Sequence, residues 1–138
     1  GIYEIRSLDG KACVHLKQAE ILFWAKPRVM IASNYQKGSC EYQEILGHEQ
    51  KHIRALRKFV QSYAPKLQRE AKEIIRTSRT RVTTSEENVE AAQDDIYKPI
   101  MARLQGYQSQ IMPILESRQK EIDSPEEYAD VAAQCQNW

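Results

Sequence analysis

The chain has 138 residues, and its 20 lysine or arginine residues nearly balance its 19 aspartate or glutamate residues, giving a formal net charge of +1. A charge so close to zero creates no field that would recruit nucleic acid or an anionic membrane. No apolar run approaches the roughly 20 residues of a membrane span. We therefore expect one domain, residues 1–138, without a nucleic-acid partner or a membrane span.

Residues 1–40 are predicted to form the sheet region. Alternating and apolar runs indicate short strands separated by a tight turn at Asp9-Gly10 and a break at Lys26-Pro27. The predicted strands are 2–6, 13–16, 19–24 and 29–32. The apolar run 19–24 also suits a helix, but Ile21, Phe23 and Trp24 favour a strand.

Three helices are predicted to follow, at 41–79, 85–121 and 125–136. Ser39 suits the N-cap of the first helix, Thr84 with Glu87 resembles a capping box, and Ser124-Pro125 is a strong start for the third. We expect residues 80–84 to form a turn, so that the two long helices make an antiparallel hairpin centred near residue 82. Residues 66–98 would then project as a thin arm.

These elements predict an α+β fold. A sheet of three or four strands packs on the helix 41–79, which begins a long antiparallel helical hairpin, and a short C-terminal helix closes the chain.

The sequence His48-Glu49-Gln50-Lys51-His52 lies inside the first predicted helix. Histidines four residues apart lie on one helix face, so that their ring nitrogens can converge on one ion. Glu49 projects towards the open coordination position, where a carboxylate can take a proton from water and pass it to a leaving amine. We interpret Gly47, a costly residue inside a helix, as allowing a second backbone or a substrate to approach.

This H-E-x-x-H pattern on a helix resembles the zincin metallopeptidases. The resemblance implies Zn²⁺ bound by His48 and His52, with Glu49 as the general base. In gluzincins a glutamate from a helix packed on the motif helix is the third ligand. The hairpin pairing makes Glu116 the first candidate and Glu121 the next, with the segment 123–128, His15 or no third protein ligand as the alternatives.

Three short segments of the sequence resemble those of small exported bacterial proteins with a minimal zincin fold. The matching residues are Ile31-Ala32, Gly38-Ser39-Cys40-Glu41-Tyr42 and Leu46-Gly47-His48-Glu49-Gln50-Lys51-His52. A related group of zinc-protease-like proteins carries a further histidine downstream. The comparable segment here, 122–128, contains no histidine.

The three cysteines suit one disulfide and one free thiol in an oxidising compartment, or three reduced thiols. The hairpin pairing brings Cys135 near Cys40 and favours that bridge, with Cys13–Cys40 as the alternative. The chain begins at Gly1 without a signal-peptide pattern, so we expect a periplasmic or secreted product whose targeting segment has been removed.

The functional prediction is a zinc-dependent peptidase acting on a peptide or protein substrate. The alternative is a degenerate zincin that binds a protein partner through the helical hairpin without catalysis. The basic run Lys51, Arg54 and Lys58 is predicted to be a solvated helix face, because no aromatic residues interleave with it.

Overall fold

The computed structural model describes residues 1–136 and residue 138. In chain order the elements are β1 (Ile2–Leu8), β2 (Lys11–Gln18), α1 (Cys40–Thr77), β3 (Arg81–Ser85), a short 3-10 helix (Glu86–Asn88), α2 (Val89–Ile122) and α3 (Pro125–Ala133). A three-stranded antiparallel sheet combined with long helices confirms the predicted α+β class.

The chain divides into two compact units. The first unit comprises Gly1–Phe23 and Ala64–Gln110, and the second comprises Trp24–Tyr63 and Ile111–Trp138. Both α1 and α2 contribute residues to each unit.

The predicted β1–β2 hairpin is confirmed. Leu8 pairs with Lys11 across the two-residue connection Asp9-Gly10. Both connecting residues have positive φ, 51° at Asp9 and 71° at Gly10. Such a turn matches the right-handed twist of the flanking strands, which explains the Asp-Gly pair at this point.

The third strand is not where the sequence predicted it. Residues 19–32 contain no regular secondary structure, so the strands predicted at 19–24 and 29–32 are wrong. Residues 81–85, predicted as part of a turn, form β3 and pair with β2 from Lys11–Ser85 to His15–Arg81. The β-branched residues Val82, Thr83 and Thr84 favour this pleated conformation once β2 offers a free edge.

The hydrophobic core of the first unit joins the sheet to the two long helices. Val14 and Leu16 of β2 face inward, against Ala71 and Ile74 of α1. The residues contributed by β3 and α2 are Val82, Ala92, Ile96, Ile100 and Leu104. The prediction that residues 66–98 form a thin projecting arm is therefore wrong, because their apolar side chains are needed to cover the sheet.

Helix starts follow local capping chemistry. The backbone N–H of Tyr42 donates to Ser39 Oγ at 3.2 Å, which caps α1 as predicted. The backbone N–H of Glu127 likewise donates to Ser124 Oγ at 3.2 Å, with Pro125 at the first position of α3. The capping box predicted at Thr84 is wrong because that residue lies in β3.

A disulfide joins Cys40, at the start of α1, to Cys135, just after α3, with a Cα–Cα distance of 5.9 Å. It is the pairing that the sequence analysis favoured, and Cys13 in β2 is a free thiol. In the described part of the chain, no helix combines the length and the apolarity that crossing a membrane requires.

Candidate metal centre

The two motif histidines lie one helical turn apart on α1, in the second compact unit. Their ring centroids are 4.9 Å apart, and the two Nε2 atoms approach to 3.2 Å. His48 is buried, with 8% of its side chain exposed, and 20% of the His52 side chain is exposed. The i, i+4 spacing thus brings two imidazole nitrogens together in a largely dehydrated position.

A carboxylate from elsewhere in the chain completes the cluster. Asp123 lies between α2 and α3, and its Oδ1 is 3.3 Å from His48 Nε2 and 3.0 Å from His52 Nε2. Among residues 1–136 and 138, His48, His52 and Asp123 form the group of potential metal ligands whose donor atoms converge.

The spacing of these three atoms fits a zinc ion. In a tetrahedral site with bonds of about 2.0–2.1 Å, neighbouring ligand atoms are about 3.3–3.4 Å apart. The three observed separations, 3.0, 3.2 and 3.3 Å, approach those of one face of such a tetrahedron. Two imidazoles and one carboxylate also form a ligand set that zinc accepts in catalytic sites.

Gln119 of α2 orients the ring of His52. Its amide nitrogen donates to the backbone carbonyl of His52 at 3.4 Å, which turns its Oε1 towards His52 Nδ1. Because Oε1 can only accept, Nδ1 is the donor of this contact, and Nε2 is the ring nitrogen that faces the cluster. A partner of this kind on the outer nitrogen of a histidine is typical of metal-ligating imidazoles.

The outer nitrogen of His48 faces a second carboxylate. His48 Nδ1 is buried without a hydrogen-bond partner among the described residues, and Glu127 Oε1 is 3.6 Å away. Glu127 is paired with Lys51, whose hydrogen bond lowers the pKa of Glu127. The carboxylate of Glu127 therefore stays ionised beside the outer nitrogen of His48, where it could support an Nδ1 proton when Nε2 binds a metal.

Tyr128 of α3 supports Asp123. Its hydroxyl donates to Asp123 Oδ1 at 3.1 Å, and its ring lies 5.4 Å from that of His48. Burial is the largest single influence on the pKa of Asp123 and raises it, but the hydrogen bond that Tyr128 donates is the largest influence that lowers it, and the pKa lies below its ordinary value. Asp123 is consequently a carboxylate at neutral pH, as a metal ligand must be.

Glu49 lies beside this cluster on α1. The hydrogen bond to Asp123 raises the pKa of Tyr128, and the charges of Asp123 and Glu49 raise it further. Glu49 is therefore within electrostatic reach of the Tyr128 hydroxyl, and its side chain is neither fully buried nor fully exposed. Among the described residues, an alanine Cβ at Gly47 would meet no atom of another element within 4 Å, so the expectation of a second backbone close to Gly47 is wrong.

The remaining predicted ligands lie outside the cluster. Glu116 and Glu121 are exposed, and His15 lies in β2 of the first unit, opposite Glu4 and Arg81. Asp123 follows Glu116 by seven residues, about two helical turns. The sequence analysis paired the two long helices about a turn near residue 82, which placed Glu116 opposite the histidines. Residues 81–85 form a strand instead of that turn, so the alignment of the two helices is different.

Sequence reasoning named the segment 123–128 without singling out Asp123, and it missed Gln119. Two local signals favoured this region: the helix start at Ser124-Pro125, which marks a reversal of the chain, and the i, i+4 spacing of Gln119 and Asp123.

Comparison of the chain with protein-family models, with curated proteins and with solved structures found no match.

Proposed function

We propose that this protein is a zinc-dependent peptidase acting outside the cytoplasm. His48, His52 and Asp123 hold the metal, and Glu49 is the general base. The observation that supports this proposal best is the triangle of donor atoms, with sides of 3.0–3.3 Å, built around an H-E-x-x-H helix.

Each residue has a defined part in the proposed reaction. A bound zinc ion supplies Lewis-acid polarisation of the peptide carbonyl and makes a coordinated water more acidic. Glu49 takes a proton from the attacking water and passes it to the departing amine. Gln119 and Glu127 face the outer nitrogens of the two histidines, so that both Nε2 atoms point to the metal, while Tyr128 holds the carboxylate of Asp123.

The disulfide supports the proposed location. Stable cystine bridges persist in oxidising compartments such as the periplasm and the extracellular space. The Cys40–Cys135 bridge belongs to the same compact unit as the metal centre and connects the beginning of α1 to the end of α3.

Metal content tests the binding half of the proposal. Protein purified without chelator is expected to contain one zinc ion per chain, and anomalous diffraction at the zinc edge should place it between His48, His52 and Asp123. His48→Ala should abolish stoichiometric zinc, whereas the matched variant His15→Ala should retain it. Zinc that is substoichiometric and insensitive to His48→Ala would refute the metal centre.

Glu49→Gln tests the catalytic half. The variant should keep its zinc but lose hydrolysis of a fluorescent casein substrate by roughly 10²–10⁴-fold, the usual contribution of a general base. Wild-type protein that binds zinc and cleaves no peptide in a broad library would instead favour the degenerate zincin acting as a protein-binding module.

A further inference from the structure

A cationic groove adjoins the metal centre within the second unit. It has a volume of about 720 Å³, which is in the usual range for ligand sites. Residues from successive turns of α1 line one side of the groove, and residues near the end of α2 line the other side. Glu127 of α3 lies at one end of the groove, next to His48. Its charged residues are Lys51, Arg54, Lys58, Arg118, Glu121 and Glu127.

Three of the four cations in this groove are available to a ligand. Lys51 is engaged by Glu127. Across residues 1–136 and 138, Arg54, Lys58 and Arg118 form no ion pair with any carboxylate. Arg54 and Lys58 are exposed and lie four residues apart on α1, so their charges point to the same side of the helix.

The uncharged lining of the groove argues against a nucleic acid. It consists of Ala55, Gln61, Ser62 and Ile122, and it offers no aromatic ring on which a base could stack. The carboxylates of Glu121 and Glu127 also repel a dense row of phosphates. Separated carboxylates on a flexible chain match the three free cations better, because each can approach a guanidinium or ammonium group while avoiding the two glutamates.

We propose that this groove binds acidic side chains of a peptide segment. Arg54, Lys58 and Arg118 pair with its carboxylates, and the shared wall at Glu127 brings the bound peptide alongside the metal centre. The proposed peptide binding does not depend on the proposed function. The further step rests on that function, because it takes the bound peptide to be the substrate cleaved at the metal.

Fluorescence anisotropy with labelled hexaglutamate tests the binding at low salt, with hexaglutamine and hexalysine as comparison peptides. Hexaglutamate is expected to bind most tightly, and the double variant Arg54→Gln/Lys58→Gln should weaken its binding roughly tenfold, since two exposed ion pairs of modest strength are lost. The matched double variant Arg57→Gln/Arg69→Gln removes the same charge from α1 outside the groove and should leave affinity within about twofold.

Three results would overturn the groove as an acidic-peptide site. One is equal weakening by both double variants, which indicates a response to net charge alone. The second is preferential binding of tripolyphosphate over hexaglutamate, which identifies a phosphate ligand. The third is loss of hexaglutamate binding in His48→Ala, which places the anion on the metal rather than in the groove.

The same experiment separates this inference from the proposed function. Retained hexaglutamate binding by His48→Ala and by chelator-treated protein supports the groove whether or not the chain is a peptidase. If peptides are cleaved, acidic residues near the scissile bond should lower KM, and Arg54→Gln/Lys58→Gln should raise KM with little change in kcat.

Discussion

The side-chain amide of Gln119 contacts both the backbone carbonyl and the ring of His52, and these two contacts fix the orientation of the imidazole. With Nδ1 held as a donor, Nε2 is the ring nitrogen left to bind a metal. Gln119 thus acts on the proposed zinc site through His52 and is a positioning residue.

Gln119→Leu should lower zinc affinity by roughly 10–100-fold, the usual effect of losing such an outer partner. Competition with a fluorescent chelator measures the change. Gln119→Glu retains an acceptor at this position and should restore most of the affinity. Gln108→Leu, an exposed change on the same helix, serves as the control. Unchanged affinity in Gln119→Leu would contradict the positioning role.

On the sheet, the carboxylate of Glu4 accepts hydrogen bonds from two cationic side chains. Lys17 Nζ is 2.8 Å from its Oε2, and Arg6 Nε donates to its Oε1 at 2.8 Å. The hydrogen bond from Lys17, followed by that from Arg6, lowers the pKa of Glu4 from 4.5 to about 2. The stabilisation from this depressed pKa is fully present above pH 4.5 and is lost as the pH falls towards 2.

Carboxyl NMR titration should therefore place the midpoint of Glu4 near pH 2 in the folded protein. Lys17→Gln should move this midpoint upward, because it removes the strongest donor. Lys11→Gln removes a charge from the same strand and should leave the Glu4 midpoint unchanged. A wild-type midpoint at the ordinary value of Glu would show that these surface pairs do not persist in solution.

At the scale of secondary structure, two helical glycines offer a matched comparison. A Cβ at Gly47 in α1 or at Gly106 in α2 would meet no atom of another element within 4 Å in the described part of the chain. Glycine inside a helix costs up to about 1 kcal/mol relative to alanine. Gly47→Ala and Gly106→Ala should therefore each raise the free energy of unfolding by about 0.5–1 kcal/mol.

Urea denaturation measures both changes. Destabilisation by Gly47→Ala would mean that the space beside α1 is occupied in solution. If both variants gain stability but peptide cleavage falls only in Gly47→Ala, the substrate uses the open space beside Gly47. The sequence analysis proposed this substrate access as one of two reasons for the glycine.

The elements themselves divide into those that local sequence predicts and those it does not. The turn at Asp9-Gly10 and the caps at Ser39 and Ser124 depend on residues within one turn of each other, and their positions were predicted. Strand β3 depends on an edge offered by β2, about 70 residues earlier in the chain, and it was mistaken for a turn. The apolar run at 19–24 found no strand partner, and Leu22 and Trp24 are exposed.

At the scale of the whole molecule, the Cys40–Cys135 bridge closes a loop with a sequence separation of 95. Such a long loop loses much conformational freedom when cross-linked, which destabilises the unfolded chain by up to about 4–5 kcal/mol. Cys40→Ser/Cys135→Ser should thus lower the free energy of unfolding by about 2–5 kcal/mol.

Chemical denaturation with and without reductant checks this expectation. Reductant should destabilise the wild type and leave the double variant unaffected. Cys13→Ser, which removes the free thiol of β2, is the control and should change stability by less than about 1 kcal/mol. A wild type indifferent to reductant would indicate that the bridge is absent in solution.

The local pattern of the chain determined the α+β class, the extents of the long helices, the first hairpin and the facing pair His48 and His52. All of these follow from interactions between residues close in sequence, which helix and turn geometry constrain directly. The tertiary structure decided that Asp123 accompanies the histidines and that Gln119 orients one of them. That choice depends on the register of α2 against α1, and register follows from core packing and strand pairing between distant residues rather than from any local pattern.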